Sequence, residues 1–130
     1  MTVKHYTDLI AWQKAMDLVV AVYRATDAFP PRERFSLANQ VRKAVVSVPS
    51  NIAEGQGRAT TRDFVHSLHV ARGSLQEVET QLIIARRLSY LRGKTERELV
   101  QATTELSRIL NGLIHALSSE RGGRPLTTDH

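Results

Sequence analysis

The sequence contains no cysteine, few aromatic residues and no long apolar run. Disulfide bonds, thiolate zinc sites and cysteine nucleophiles are therefore excluded. Aromatic side chains make up 5% of the 130 residues, and no cluster of them offers a platform for stacking unpaired bases. The longest apolar run, residues 18–23, is far shorter than the roughly 20 residues that span a bilayer. We therefore expect a cytoplasmic protein without a membrane segment, whose fold is held together by side-chain packing.

The charged residues give the chain a moderate positive excess. Lysine and arginine number 18, aspartate and glutamate 13, and the formal net charge is +5. This excess permits electrostatic attraction to RNA or DNA, but the acidic residues are spread among the basic ones. Nucleic acid is therefore a candidate partner that charge alone does not establish.

Apolar residues recur at intervals of three and four in four segments, which is typical of amphipathic helices. The helices are predicted at about residues 8–28, 33–57, 61–91 and 95–119. Because the connections are short, we expect an all-α, antiparallel up-and-down four-helix bundle that occupies residues 1–120. Residues 121–130 carry little apolar surface and are predicted to form a disordered tail.

The first helix has two apolar stripes side by side. The first stripe consists of Leu9, Trp12, Met16, Val19 and Tyr23, and the second of Ala11, Ala15, Leu18 and Val22. A face this wide indicates either a deeply embedded helix or a second interface. Asp8 is the expected N-cap of this helix.

Proline and glycine interrupt the other helical patterns. Pro49 lies inside the second apolar series and predicts a kink or break, because proline lacks the amide hydrogen. Gly55 is expected to help end that helix and Gly93 to stop the third. Capping boxes are predicted at Thr60 with Asp63 and at Thr95 with Glu98. The core stripes of the last two helices are predicted to be Phe64, Leu68, Ala71, Leu75, Val78, Leu82 and Ala85, then Leu99, Ala102, Leu106, Ile109, Leu113 and Leu117.

Catalytic motifs are absent from the sequence. It has no Glu-x-x-His motif of di-iron bundles, no nucleophile elbow and no glycine-rich phosphate loop. Asp63, His66 and His69 recur at intervals of three, but His66 lies nearly opposite the predicted buried stripe. We therefore expect no enzymatic activity, cofactor or metal, and the sequence identifies no small-molecule substrate.

The second helix carries a polar stripe beside its apolar one. The stripe consists of Gln40, Lys43, Ser47, Asn51, Glu54 and Arg58. It could be solvated, make hydrogen bonds to another helix within or between subunits, or hold a ligand.

A glycine inside the third helix favours the second of these alternatives. Gly73 should cost the helix about 1 kcal/mol relative to alanine, which indicates that something approaches the backbone there. We therefore hypothesise that the region of Asn51 and Glu54 meets that of Ser74 and Glu77. The candidate interface comprises Gln40, Ser47, Asn51, Glu54, Gly73, Ser74 and Glu77.

Several strings in the sequence resemble one family. These are Asp8-Leu9-x-x-Trp12-Gln13-Lys14-Ala15, the Phe29-Pro30 turn, the string from Gln40 to Arg58 with its core Ser47-Val48-Pro49-Ser50-Asn51-Ile52-Ala53-Glu54-Gly55, and Ala71-Arg72-Gly73-Ser74-Leu75-x-Glu77-x-Glu79-Thr80-Gln81-Leu82. They are similar to the bacterial four-helix bundle proteins, also called 23S rRNA intervening sequence proteins. The resemblance implies a four-helix bundle that assembles as a homopentamer, and it brings no catalytic residues.

The leading hypothesis is a non-enzymatic homo-oligomeric scaffold or binding protein associated with RNA or a ribonucleoprotein. The alternative is a purely structural or protein-interaction module without a nucleic-acid role. If RNA or DNA binds, arginine and lysine side chains neutralise phosphate charge. The candidate contacts are Arg42, Lys43, Arg58, Arg62, Arg86 and Arg87.

Overall fold

Four α-helices make up most of the protein. The computed structural model describes the backbone of residues 5–122 and the side chains of residues 5–119. The helices are α1 (Ile10–Thr26), α2 (Leu37–Gln56), α3 (Thr61–Arg87) and α4 (Gly93–Gly122), with short 3-10 turns at Tyr6–Asp8 and Pro31–Glu33. The all-α prediction is confirmed. Residues 121 and 122 belong to α4 rather than to the predicted tail, and residues 123–130 lie outside the described part of the chain.

The helices form a ring in which each packs against its neighbours in sequence. Contacts join α1 to α2, α2 to α3 and α3 to α4, and α4 closes the ring against α1. Within the described residues, no Cα atoms of the diagonal pairs α1/α3 and α2/α4 lie within 8 Å of each other. The connections at residues 27–36, 57–60 and 88–92 are short enough that each reverses the chain. The predicted four-helix bundle is thus confirmed.

One of the two apolar stripes of α1 faces the core. The buried stripe is the second, Ala11, Ala15, Leu18 and Val22. In the first stripe, Met16 and Tyr23 are 38% and 41% exposed, and Trp12 and Val19 are only partly buried. Alanines at two core positions let α1 lie close to its neighbours, and a stripe of larger side chains is left outside.

The core stripe of α3 is as predicted apart from the half-buried Phe64, whereas that of α4 is partly shifted. The side chains that face the core of α4 are Leu99, Thr103, Leu106, Leu110, Ile114 and Leu117. Ala102, Ile109 and Leu113 are only partly buried. Thr103 is accommodated in the core because its hydroxyl donates to the carbonyl oxygen of Val100 at 2.9 Å.

Two of the three predicted helix starts were wrong. Thr60 caps α3 as predicted, since its Oγ1 accepts a hydrogen bond from Asp63 N at 3.1 Å. Asp8, however, lies in the first 3-10 turn, and Leu9 precedes α1 without a side-chain cap. Thr95 lies inside α4, which begins at Gly93. Gly93 therefore opens a helix instead of stopping one.

The end of α3 is a Schellman motif that the sequence did not reveal. Ser89 has a left-handed φ of 63°. Tyr90 N donates to Ala85 O at 2.9 Å and Ser89 N to Arg86 O at 3.0 Å, the two bonds that define this motif. The third helix consequently ends at Arg87, before the predicted position near residue 91.

Pro49 does not break α2, which is continuous from Leu37 to Gln56. Side chains around the proline donate back to the carbonyl oxygens of the helix. Ser50 Oγ donates to Val46 O at 2.9 Å, and Asn51 Nδ2 to Ser47 O at 2.7 Å. These bonds supplement the helix where proline removes one backbone donor.

Candidate nucleic-acid interface

Cations are concentrated at one end of the bundle. Because α1 and α3 run in the same direction, the connections at residues 27–36 and 88–92 lie at the same end. Exposed basic side chains in and beside them are Arg24, Arg32, Arg34, Arg87, Arg92, Lys94 and Arg97. We refer to this set of residues as the basic end.

The carboxylates near the basic end are already engaged. Asp27 pairs with Arg42 at 2.9 Å, Glu96 pairs with Arg86 at 3.5 Å, and Glu98 lies 3.9 Å from Lys94. Among the described side chains, several arginines have no ion-pair partner. These are Arg24, Arg34, Arg87, Arg92 and Arg97. The basic end therefore carries an uncompensated positive charge.

Glu33 fixes the two connections to each other. Its Oε1 accepts hydrogen bonds from Ser36 Oγ and from Leu37 N, and its Oε2 accepts one from Tyr90 Oη at 2.8 Å. Tyr90 also packs against Phe29, with ring centroids 5.5 Å apart. The hydrogen bonds from Ser36, Tyr90 and the Leu37 amide lower the pKa of Glu33. The carboxylate thus stays ionised while it links the connection between α1 and α2 to the connection between α3 and α4.

A cleft of about 620 Å³ opens at this end between the end of α1 and the start of α4. Arg24 and Arg92 contribute cations to its lining, and Glu98 contributes a carboxylate. Tyr90 and Pro30 contribute apolar surface. The basic end therefore includes a concave surface with positive charge on two sides.

Arg42, one of the predicted phosphate contacts, makes hydrogen bonds within the chain. Its Nε donates to Thr26 Oγ1 at 2.7 Å, and its Nη2 donates to Asp27 Oδ1 at 2.9 Å and to Tyr23 O at 3.1 Å. The guanidinium also lies 4.7 Å from the centroid of the Tyr23 ring. Arg42 joins the end of α1 to α2, so most of its donors are used inside the chain.

The other predicted contacts do not form one surface. Arg58 pairs with Glu54 at 3.5 Å and lies with Arg62 near the opposite end of the bundle. Arg86 pairs with Glu96, whereas Arg87 and Lys43 are exposed without an ion-pair partner among the described residues. Sequence reasoning missed Arg24, Arg34, Arg92 and Arg97. These four arginines share a position in or beside the first or third connection, and those two connections meet at one end of an up-and-down bundle. That position was the signal that could have identified them.

The hydrogen bonds described for the polar stripe of α2 are local. Ser47 Oγ donates to Ala44 O at 2.8 Å, Asn51 donates to Ser47 O, and Glu54 pairs with Arg58. Gln40 is exposed. Among the described residues, no hydrogen bond joins Asn51 or Glu54 to Ser74 or Glu77, so the hypothesis that these two regions meet stays a prediction. These bonds indicate that the stripe supports its own helix.

Glu77 and its neighbour Gln81 form a separate polar pair on α3. Gln81 Nε2 lies 3.5 Å from Glu77 Oε2. Gln81 is only 7% exposed, and its Oε1 has no hydrogen-bond partner among the described atoms. The pair stays within one helix, so it does not join α3 to α2.

The close approach of two helices occurs at Gly55 and not at Gly73. A Cβ atom on Gly55 would lie 2.4 Å from the Cβ of Ser67 and 3.1 Å from Cδ1 of Phe64. A Cβ atom on Gly73 would meet nothing within 4 Å. The single chain therefore provides no neighbour that explains Gly73.

Asp63, His66 and His69 do not form a metal cluster. No group of three or more histidine, cysteine or acidic residues that could hold a metal ion occurs in the described part of the chain. Nδ1 of His69 lies 2.9 Å from Nη2 of Arg72, so a cation already lies beside that ring nitrogen.

In residues 5–122, no helix is both long enough and apolar enough to cross a bilayer.

The comparisons with known proteins point to one family. The model of the 23S rRNA-intervening sequence protein family matches residues 7–112 of this chain. The fold is similar to the crystal structure of a protein of unknown function from the S23 ribosomal protein family of Bacteroides thetaiotaomicron, with a TM-score of 0.74 and 20% sequence identity. That match covers 82% of this chain and 96% of the other. No curated protein matches the chain.

Proposed function

The chain belongs to the 23S rRNA-intervening sequence protein family, and we propose that it is a non-enzymatic, homo-oligomeric scaffold whose basic end contacts RNA phosphates. The observation that supports the RNA contact is the set of arginines without ion-pair partners at that end. Arginine contacts to phosphate position a nucleic acid without reading its sequence. They also release counterions, which makes binding sensitive to salt.

Exposed apolar surface supports the proposed assembly. Ile10, Met16, Val20 and Tyr23 lie on the outer surface of α1, with exposed fractions between 38% and 56%. We refer to these residues as the outer face of α1. Met16, Val20 and Tyr23 follow one another at spacings of four and three, so they lie together on one side of the helix. A contiguous exposed apolar patch marks an interaction surface. The resemblance to the family implies five copies in the assembly.

Two helix glycines add to this support. Arg72 Nη1 donates to Asn111 Oδ1 at 3.0 Å, which places the next residues, Gly73 and Gly112, at the same level of α3 and α4. Both glycines are exposed, and a Cβ atom on either would meet nothing within 4 Å. Each should cost its helix about 1 kcal/mol relative to alanine. A neighbouring subunit that packs closely against this surface would account for them.

The test of the RNA contact compares two matched pairs of arginines. The first variant carries Arg34→Ala and Arg92→Ala at the basic end, and the control carries Arg58→Ala and Arg62→Ala at the opposite end. The affinity for a labelled RNA oligonucleotide is measured by fluorescence anisotropy between about 50 and 200 mM salt. We expect the first variant to reduce the slope of log affinity against log salt by about 1.4–1.8, and the control to leave it unchanged.

An equal loss of slope in both variants would contradict the basic end as the contact surface. If the native protein forms an oligomer but shows no salt-sensitive association with RNA or DNA, the chain is a structural or protein-interaction module, and the proposed RNA role is wrong.

A further inference from the structure

Phe35 is unusually exposed for a large apolar residue. Its exposed fraction is 86%, whereas the next highest value for a described large apolar side chain is 56%, at Ile10. An exposed apolar residue is not by itself a sign of function. The surroundings of the ring therefore decide what it can bind.

The backbone on both sides of Phe35 is fixed. Arg34 N donates to Pro31 O at 3.1 Å and Ser36 N donates to Glu33 O at 3.1 Å. The Glu33 carboxylate accepts from the Leu37 amide at 3.3 Å, so the start of α2 is held to the same turn. Phe35 thus projects from an ordered turn, and little conformational entropy would be lost when a ligand covers the ring.

The charge around the ring selects the kind of ligand. Arg32 and Arg34 both precede Phe35 in the same turn, and both oxygens of Glu33, which lies between the two arginines, already accept hydrogen bonds. Arg34 has no ion-pair partner among the described residues. A flat apolar ring in the same turn as two cations complements a partner with flat rings and regularly spaced anions, which is the chemistry of a single-stranded nucleic acid.

We propose that Phe35 stacks on one unpaired base of an RNA while Arg34 and Arg32 contact the flanking phosphates. The low aromatic content argues against a multi-base platform, but a single ring is sufficient for a single base. The inference rests on the proposed function and deepens it, because it names loops and single strands as the substrate class. Bases in a duplex already stack on each other and leave no face for Phe35.

The test uses the full chain and a single-stranded RNA with one 2-aminopurine base, whose emission changes when an aromatic ring stacks on it. Phe35→Ala should lose this change and weaken binding about 5- to 150-fold. Phe35→Trp should retain both. Phe35→Ala should leave the salt slope unchanged, whereas Arg34→Ala should reduce it by about 0.7. Affinity for a blunt RNA duplex should be the same for Phe35→Ala and the native protein.

Three results would overturn the inference in distinguishable ways. Unchanged affinity and unchanged 2-aminopurine emission in Phe35→Ala would leave RNA binding in place and remove the stacking role. A change in the mass of the assembly in Phe35→Ala would show that the ring is a contact between subunits. No salt-sensitive binding of either RNA by the native protein would overturn the proposed function and the inference with it.

Discussion

Gly55 is the residue at which α2 and α3 leave no room for a side chain. A Cβ atom at this position would clash with Ser67, whose own Cβ cannot rotate away. Gly55→Ala must therefore push the two helices apart, and overpacking of this kind costs about 1–3 kcal/mol. We expect a net loss of roughly 1–2 kcal/mol in the free energy of unfolding, since alanine returns part of the cost through helix propensity. Urea denaturation measures the loss.

Gly57→Ala is the matched control for this substitution. A Cβ atom on Gly57 would lie 3.6 Å from Glu54 O, which is ordinary contact. This variant should stay within about 0.5 kcal/mol of the native protein. Equal effects of the two substitutions would show that glycine at 55 reflects the helix end, as the sequence predicted, and not the contact with Ser67.

Glu79 gives stability a pH dependence that can be isolated. It lies in a groove between α3 and α4 with Ile83 and Val100, and partial burial raises its pKa above the ordinary value of 4.5. Because the folded chain holds this proton more tightly than the unfolded chain, Glu79 makes the protein less stable as pH rises through its folded pKa. The penalty is absent below the pKa of the unfolded chain.

Glu79→Gln should therefore stabilise the protein at neutral pH and have little effect on its stability near pH 4. We expect a gain within the roughly 0.5 kcal/mol typical of surface substitutions, because the carboxylate is only partly buried. The measurement is the difference between the two unfolding free energies across this pH range. Arg86 and Glu96 line the same groove, and their own titration is common to both proteins, while burial is the cause of the raised pKa of Glu79. A difference that does not vary with pH would contradict the burial of this carboxylate.

The helix ends show why the bundle was easier to predict than its connections. The α3 stripe from Leu68 to Ala85 is set by a period of 3.6 residues, which any amphipathic helix must obey. The ends depend on tertiary contacts instead. Glu33 binds the start of α2 through the Leu37 amide and is itself bound by Tyr90, which is distant in sequence. Ser89 adopts a left-handed conformation that is usually found in glycine. The sequence therefore predicted that the helix stops at Gly93, which lies beyond the turn.

The candidate site, like the helix ends, depends on tertiary contacts that the sequence does not show. Arg42 and Arg92 have the same chemistry, and only the structure shows that Arg42 is bound to Thr26 and Asp27 while Arg92 has no ion pair among the described residues. The exposure of Phe35 is equally invisible in composition.

Ser89 gives a direct test of the Schellman motif that ends α3. A non-glycine residue in the left-handed region costs about 1 kcal/mol or more, because its Cβ approaches the carbonyl oxygen that follows. We expect Ser89→Gly to be more stable than Ser89→Ala by about 1 kcal/mol in thermal or chemical unfolding. Equal stabilities would contradict the left-handed conformation at this position.

Ile10 and Met16 of the outer face of α1 lie about two turns or more from Arg24, the residue of the basic end on the same helix, so assembly and RNA contact can be separated. A ring of subunits would bring several basic ends to one RNA, and linked contacts of this kind raise apparent affinity by roughly 10²–10⁴-fold without new interactions. The moderate net charge of +5 per chain would then be multiplied by the number of subunits.

Met16→Asp tests this coupling, because it places a charge in the middle of the outer face of α1, about two turns from Arg24 of the basic end. The residues three and four positions away on the helix are uncharged, and Met16 is 38% exposed, so the single chain should fold normally. We expect the mass in solution, measured by light scattering, to fall to the 14.6 kDa of one chain. RNA affinity should fall with it, although every arginine of the basic end is intact.

Thr104→Asp, on the exposed surface of α4 and about two turns from Arg97, is the control and should retain both assembly and binding. A Met16→Asp protein that keeps its mass would show that α1 is not the interface. One that becomes a single chain yet binds RNA as tightly as the native protein would show that a lone basic end suffices.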